Sequence, residues 1–435
     1  MKRLINQGFL QWKSNPKRKT LLVRGARQVG KTYSVREFAK KFDHYLEVNF
    51  ESDREVHSFF NKDLNPDELC RNLSAYYNIP IKDGKTLLFF DEVQACLPAI
   101  SSLRFFHEKR PGLHLVAAGS LLEFALEEIP SFGVGRIENL FMFPLSFDEF
   151  LLALDQVQLY QIKRESGYDN PLNPALHSKL IGYLKQFFLI GGLPEVVNTF
   201  IETGDFLQSQ AILDQLISGF EDDFAKYKIR VPSTRIREVF NSVVRQSGNK
   251  FNIFKASDSA NHVQTKEALD LLEMAGFIYR VKHTAANGLP LGAEVNPKKF
   301  KAIMFDHGIF QRILGLNLSD HLVANDFSAI NKGNLAEQFV GTELVKNYSK
   351  AAKPQLYYWH REKKGSNAEV DYLVQKENTI LPLEVKSGTQ GKMQSLRIFL
   401  RDKNITNGIR ISLENFDHYD DIKVFPLYAI ENIFG

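Results

Sequence analysis

Gly25-Ala26-Arg27-Gln28-Val29-Gly30-Lys31-Thr32 is a complete G-x-x-x-x-G-K-T run. Its glycines let backbone N–H groups turn inward around a phosphate chain. Lys31 stands where it can reach β- and γ-phosphates, and Thr32 where it can hold a magnesium ion. Farther along, Leu87-Leu88-Phe89-Phe90-Asp91-Glu92 is an apolar run closed by two acids. Asp91 suits the coordination shell of that ion, and Glu92 suits polarising a water for attack on the γ-phosphate. Ser120, in Ala117-Ala118-Gly119-Ser120, reads as a γ-phosphate sensor, with a turn serine as the competing reading. Arg136, in Gly133-Val134-Gly135-Arg136, reads as an arginine finger or, equally, as a structural ion pair.

A second constellation lies near the other end. Asp371 sits in Glu369-Val370-Asp371-Tyr372-Leu373, followed by Glu384-Val385-Lys386. Residues i and i+2 of a strand share a face, so Glu384 and Lys386 point the same way. If the two strands pair as a hairpin, Asp371 joins them. Glu337, on a preceding helix, completes a set in which carboxylates bind Mg²⁺ and Lys386 orients or deprotonates a water. Glu384 and Lys386 are embedded among Leu381, Leu383 and Val385, and charges directed into a sheet face without a role are costly. A domain that only binds nucleic acid or a partner is the competing reading.

The elements that must position these groups follow from patterning. Strands are expected at Thr20–Arg24, Tyr45–Phe50, Thr86–Phe90 and Leu113–Ala118, with a helix from Tyr33 to Lys41 after the phosphate loop. The last two strands are continuous apolar runs, as in a parallel sheet buried on both faces. Residues 1–150 therefore read as an α/β nucleotide-binding core with a parallel sheet. Residues 151–230 carry helical periodicity, with Leu180, Tyr183, Leu184, Phe187 and Phe188 on one stripe, and read as a helical lid. Residues 231–330 carry helices at Ile236–Gln246, a short one at Ser259–His262, and one at Thr265–Ala275. Strands Phe277–Val281 and Lys299–Phe305 follow, a pattern that fits a winged helix-turn-helix. Residues 331–435 open a new α/β unit, with a helix from Leu335 to Tyr348 and strands at Leu356–Trp359, Val370–Gln375 and Ile380–Lys386.

Composition sets bounds. Hydrophobic content of 44% and charged content of 24% over 435 residues fit a soluble multidomain protein with ample core. A net charge of +4 gives no global attraction to nucleic acid, so any such surface is a local patch. Cys70 and Cys96 make neither a disulfide framework nor a metal site, and a reducing, cytoplasmic setting is expected. No signal peptide and no membrane span are expected.

Four segments together resemble one family: GARQVGKT, LLFFDEVQ, GRIENLFMFPLSFDEF and LIGGLPEVV. They look like the prokaryotic AAA-superfamily ATPases, related to the archaeal and STAND-type ATPases, that carry a C-terminal domain of unknown function. Pro144–Phe150 and Gly191–Glu195 are the discriminating pieces, because the phosphate loop is widely shared. The resemblance implies a P-loop NTPase core of AAA type, a helical lid and a winged helix. The order helix Glu337, strand Asp371, then Glu384-x-Lys386 resembles the PD-D/E-x-K nuclease fold, which implies a restriction-endonuclease-like α/β domain. Val370 stands where the motif's proline would be.

The expected function is an ATP- and Mg²⁺-dependent switch controlling a nuclease-like domain that acts on nucleic acid, DNA rather than RNA. The alternative is an ATPase whose winged-helix and C-terminal domains only hold nucleic acid or a protein partner. Arg136 acting on a neighbouring subunit's nucleotide would make the chain a homo-oligomer. A protein-remodelling ring ranks last, because no aromatic–hydrophobic–Gly pore segment stands in a suitable position.

Overall fold

Thr20–Arg24 (β1) is an apolar run with buried neighbours on either side, and it takes the interior place its pattern demands. The computed structural model describes every residue except 130–132, 134, 228–230, 258–260, 317–333, 364, 390 and 435; of residues 226 and 227 it describes only the backbone. β1 joins β2 (His44–Asn49), β3 (Thr86–Asp91), β4 (His114–Ala118) and β5 (Ile137–Phe141) in a five-stranded sheet of order β2-β3-β4-β1-β5. Each neighbouring pair is parallel. β5 carries no apolar run of its own and was not foreseen. Its first three residues are only half buried, which is why the pattern hides it. Leu22, Val48, Phe50, Phe90 and Leu115 share one buried cluster with Leu69, Leu73, Leu103 and Phe106 of the flanking helices Pro66–Tyr77 and Leu97–Lys109.

The chain divides into two compact units. One comprises Lys2–Phe143 with Ser349–Lys353, and the other Met1, Pro144–Tyr348 and Pro354–Gly435. The helices expected as a lid on the nucleotide core, from Val157–Glu165 through Phe206–Asp223, belong to the second unit.

The second unit is built on an eight-stranded mixed sheet. Its strands are β6 (Ile278–Thr284), β7 (Val295–Met304), β8 (Leu356–His360), β9 (Glu369–Lys376), β10 (Thr379–Val385), β11 (Gly408–Ser412), β12 (Asp417–Tyr419) and β13 (Ile422–Pro426). The order is β12-β13-β11-β10-β9-β8-β6-β7. β9 and β10 form the expected hairpin, with Leu383 opposite Tyr372. The β6–β7 hairpin, expected as the wing of a separate domain, instead continues this sheet: β6 runs parallel to β8 from Val281 opposite Leu356. One sheet therefore crosses the division expected at residue 330, a position outside the described residues. The short helix expected at Ser259–His262 also begins outside them, and His262 opens the helix His262–Met274.

The two segments that discriminate the family resemblance meet in this unit. Leu145 N–H donates to the Gly192 carbonyl at 2.6 Å, and Gly192 N–H donates to Asp306 Oδ2 at 2.7 Å. Ser146 and Glu149 form a reciprocal capping box on the helix Phe147–Ala153, and Phe147 N–H donates to Glu343 Oε2 at 3.1 Å. Asp148 and Lys163 are a buried ion pair at 2.6 Å. Phe147, Phe150, Phe187 and Phe339 pack edge-on or tilted against one another in the core beside them. Glu149, Asp306 and Glu343 thus anchor backbone, whereas Asp148 pairs with a lysine side chain. Cys70 and Cys96 are free and buried. No helix among the described residues is long and apolar enough to cross a membrane.

Candidate functional site

The phosphate loop connects β1 to the helix Lys31–Ala39. Its path needs positive φ at Gly25 (146°), Gln28 (63°) and Gly30 (90°). A Cβ on Gly25 would stand 2.1 Å from the Met142 carbonyl oxygen, so only glycine fits there. Ala26, Arg27 and Val29 supply further backbone of the loop, with Ala26 and Val29 buried. Buried Lys31 donates from Nζ to the carbonyls of Gly25 (2.9 Å) and Ala26 (2.8 Å). Burial lowers its pKa to about 8, against the pull of Glu92 and Asp91.

β4 stands between β1 and β3, yet Asp91 at the end of β3 still reaches the loop. Thr32 Oγ1 donates to Asp91 at 3.1 Å from Oδ2 and 3.2 Å from Oδ1. Burial and then Glu92 raise the Asp91 pKa to about 6, while the Thr32 hydrogen bond opposes the rise. A hydroxyl and a carboxylate converging beside the loop are the donor set that a phosphate-bound Mg²⁺ takes. This pair and the inward-turned loop fit Mg²⁺ and a nucleoside triphosphate.

Glu92 adopts the left-handed region (φ 46°), and three groups hold its Oε2. Gln94 Nε2 donates at 2.6 Å, Ser120 Oγ at 3.2 Å and Ser120 N–H at 3.3 Å. Ser120 therefore touches the candidate general base directly, which sequence did not foresee; Gln94 was missed altogether. A Cβ on Gly119 would stand 2.0 Å from Gln94 Oε1, so the small residue before Ser120 makes room for this clamp. Arg136 is exposed and paired with Glu108.

In the second unit, Glu337, Asp371, Glu384 and Lys386 do gather on the helix Asn334–Asn347, β9 and the end of β10. Asp371 Oδ2 accepts from Val385 N–H at 2.8 Å, and Lys386 Nζ donates to Glu384 Oε1 at 2.7 Å. A lysine from a neighbouring strand also enters this cluster. Lys301 of β7, 1% exposed, places its ammonium 2.7 Å from Glu337, 2.5 Å from Glu369 and 3.8 Å from Asp371. Among the described residues no three acidic, His or Cys side chains are grouped so as to hold a metal ion. The acids converge on an amine, so this set does not fit a resident divalent metal.

Electrostatics follow that arrangement. Burial works against the Lys301 ammonium, yet Glu337, Asp371 and Glu369 together hold its pKa well above the ordinary lysine value. Burial raises Glu337 to about 7, opposed by Lys301. Burial and then Asp371 raise Glu384 to about 7, and its buried Oε2 has no hydrogen-bond partner. Sequence reasoning missed Lys301 and Glu369. Both carried a readable signal: Glu369 lies two residues before Asp371 on one strand face, and Lys301 is a charge inside Phe300-Lys301-Ala302-Ile303-Met304.

Residues 17–151 match the family described as AAA domain. Residues 181–320 and 332–430 match two families described as domains of unknown function, DUF8612 and DUF4143. None of the curated proteins compared with the chain matches it. Among solved structures, the chain is similar to the Walker-type ATPase paby2304 of Pyrococcus abyssi, at 13% identity over 72% of this chain and 95% of that one, with a TM-score of 0.44. It is similar to the Orc1 protein of Aeropyrum pernix, solved in complex with DNA, at 12% identity over 71% and 90%, with a TM-score of 0.29. The corresponding values for Pif1 from a Bacteroides species are 16%, 37%, 46% and 0.22. These structural likenesses are too loose to carry any statement about this chain. The family match over residues 17–151 supports an AAA-type ATPase domain, in agreement with the parallel sheet and the loop.

Proposed function

We propose that the chain binds and hydrolyses ATP with Mg²⁺ and uses that cycle as a switch, its output being a C-terminal domain that holds nucleic acid or a protein partner. The observation that carries the first part is the contact of Thr32 with Asp91, which brings the phosphate loop and the acid-tipped strand to one point. Lys31 and the loop N–H groups would bind the phosphates, Thr32 and Asp91 would hold the ion, and Glu92 would polarise the attacking water. When bound, Mg²⁺ supplies neutralisation of charge on the phosphates. Ser120 and Gln94 keep Glu92 engaged, so the base is available only after that clamp yields. A ligand biases a switch only by its difference in affinity for the two states.

For the output, sequence left two readings, cleavage by a metal-dependent nuclease and holding without cleavage. The position of Lys301 among Glu337, Glu369 and Asp371 favours holding.

The test is one matrix. Wild type, Lys31→Ala and Asp371→Ala are incubated with ATP, plasmid, single-stranded DNA and RNA, with Mg²⁺ or Mn²⁺. Phosphate release is expected from wild type and Asp371→Ala, and a drop of roughly 100-fold or more from Lys31→Ala. Retention of nucleic acid without shortening fits the holding reading; metal-dependent cleavage lost in Asp371→Ala restores the nuclease. Undiminished phosphate release by Lys31→Ala would sink the ATPase assignment.

A further inference from the structure

The Lys301 cluster does more than disagree with a metal set. Three carboxylates from two elements, Glu337 of the helix Asn334–Asn347 and Glu369 and Asp371 of β9, turn toward one point. Lys301 reaches that point from β7, with its ammonium 5.3 Å from the Tyr358 ring centroid. An ammonium has three donors and no lone pair, so it satisfies carboxylates and cannot share their centre with a second cation. Tyr372 Oη donates to the Glu337 carbonyl at 2.8 Å and fixes the helix residue that faces the amine. The fourth acid, Glu384, is taken by the second ammonium, Lys386. Every acid of the expected metal set thus already faces an amine of this chain.

We propose that Lys301 is the resident cation of this cluster and excludes divalent metal from it, so that the nuclease-like domain works as a metal-free binding module. The converging carboxylates hold a cation, an ammonium, that is covalently attached to the chain. Removing the amine alone then opens the site to a divalent ion. Restoring a cation by arginine keeps it shut. This deepens the holding reading but does not need it, because metal uptake is measured without nucleotide or nucleic acid. Failure here leaves the ATPase reading standing but removes the observation that favours holding, whereas failure of the ATPase reading leaves the metal measurement unaffected.

The experiment titrates the nucleotide-free full chain with Mn²⁺ and follows free Mn²⁺ by its electron spin resonance. Wild type, Lys301→Arg, Lys301→Ala, Asp371→Asn and the double variant Lys301→Ala/Asp371→Asn are compared; all share one phosphate loop, so its contribution cancels. Wild type and Lys301→Arg are expected to take up no Mn²⁺ that depends on Asp371. Lys301→Ala is expected to gain one equivalent, bound at least about tenfold tighter than in the double variant. If Lys301→Ala melts early, a rise in its melting temperature with Mn²⁺, absent from the double variant, supports the proposal equally. Wild-type uptake that Asp371→Asn abolishes overturns it, as does a folded Lys301→Ala that binds no more than wild type. If Lys301→Ala does not fold with or without Mn²⁺, the wild-type and Asp371→Asn pair decides alone: dependence on Asp371 overturns the proposal, and its absence upholds it.

Discussion

Lys31 and Asp91 carry opposite requirements into one site. Binding of a phosphate chain needs Lys31 protonated, and its pKa is lowered to about 8. Holding the ion needs Asp91 ionised, and its pKa is raised to about 6. Affinity for Mg²⁺-ATP therefore falls as pH rises through the Lys31 value, because the ammonium is lost, and falls as pH drops through the Asp91 value, because the carboxylate is protonated. A fluorescent-nucleotide titration from about pH 5 to about pH 9 is expected to show both limbs, each steepening toward tenfold per pH unit. Lys31→Ala should erase the alkaline limb and Asp91→Asn the acid one; unchanged limbs in both variants would contradict these roles. The loop and the Asp-Glu strand end were legible because their types and spacing are the chemistry. The clamp on Glu92 was not, because Gln94 and Ser120 meet it only through a left-handed turn that no pattern announces. Lys301 stood out as a charge in an apolar run, but its partners Glu337, Glu369 and Asp371 lie on elements far away in sequence.

At the scale of elements, Thr20–Arg24 and the helix Asn334–Asn347 were readable to within a residue or two, although both are buried on nearly every side rather than along one face. What the pattern could not give was partner choice. The apolar and aromatic residues of β6 suit a wing as well as a sheet interior, and only pairing with β8 decides between them. The glycines of the Gly191–Glu195 segment make a sharper case. A Cβ on Gly192 would sit 2.2 Å from the Leu145 carbonyl oxygen, and backbone cannot step aside cheaply. Gly192→Ala is expected to cost about 2–3 kcal/mol. Gly182, exposed in the helix Pro174–Ile190 with nothing near its missing Cβ, is the opposite case. Gly182→Ala is expected to stabilise by about 0.5–1 kcal/mol, since it removes chain entropy and improves helix propensity. Denaturant melts of the two variants check both signs; equal effects would mean that the junction of Leu145 with Gly192 bears no strain.

For the whole molecule, the shared sheet makes a definite demand. A fragment of residues 334–435 loses β6 and β7, which exposes the β8 edge and strips Glu337, Glu369 and Asp371 of the Lys301 ammonium. Such a fragment is expected to aggregate or to lack a cooperative melt, whereas residues 144–435 should keep one. A monomeric, cooperatively melting 334–435 fragment would refute this, by gel filtration and calorimetry. Shifts in pattern divided the chain into four segments, but they did not tell which segments close into one of the two compact units. That unit also has a long reach. Asn432 Nδ2 donates to the Lys163 carbonyl at 2.8 Å and to the Ser166 carbonyl at 3.0 Å, across more than half of the chain. At ribosomal speed those partners are made tens of seconds apart. Residues 2–143 have meanwhile left the ribosome with all five strands of their sheet, while the helices after Pro144 wait for the last turn of chain. On a nascent chain, the five-stranded sheet of the phosphate-loop unit is therefore complete before the second unit can close.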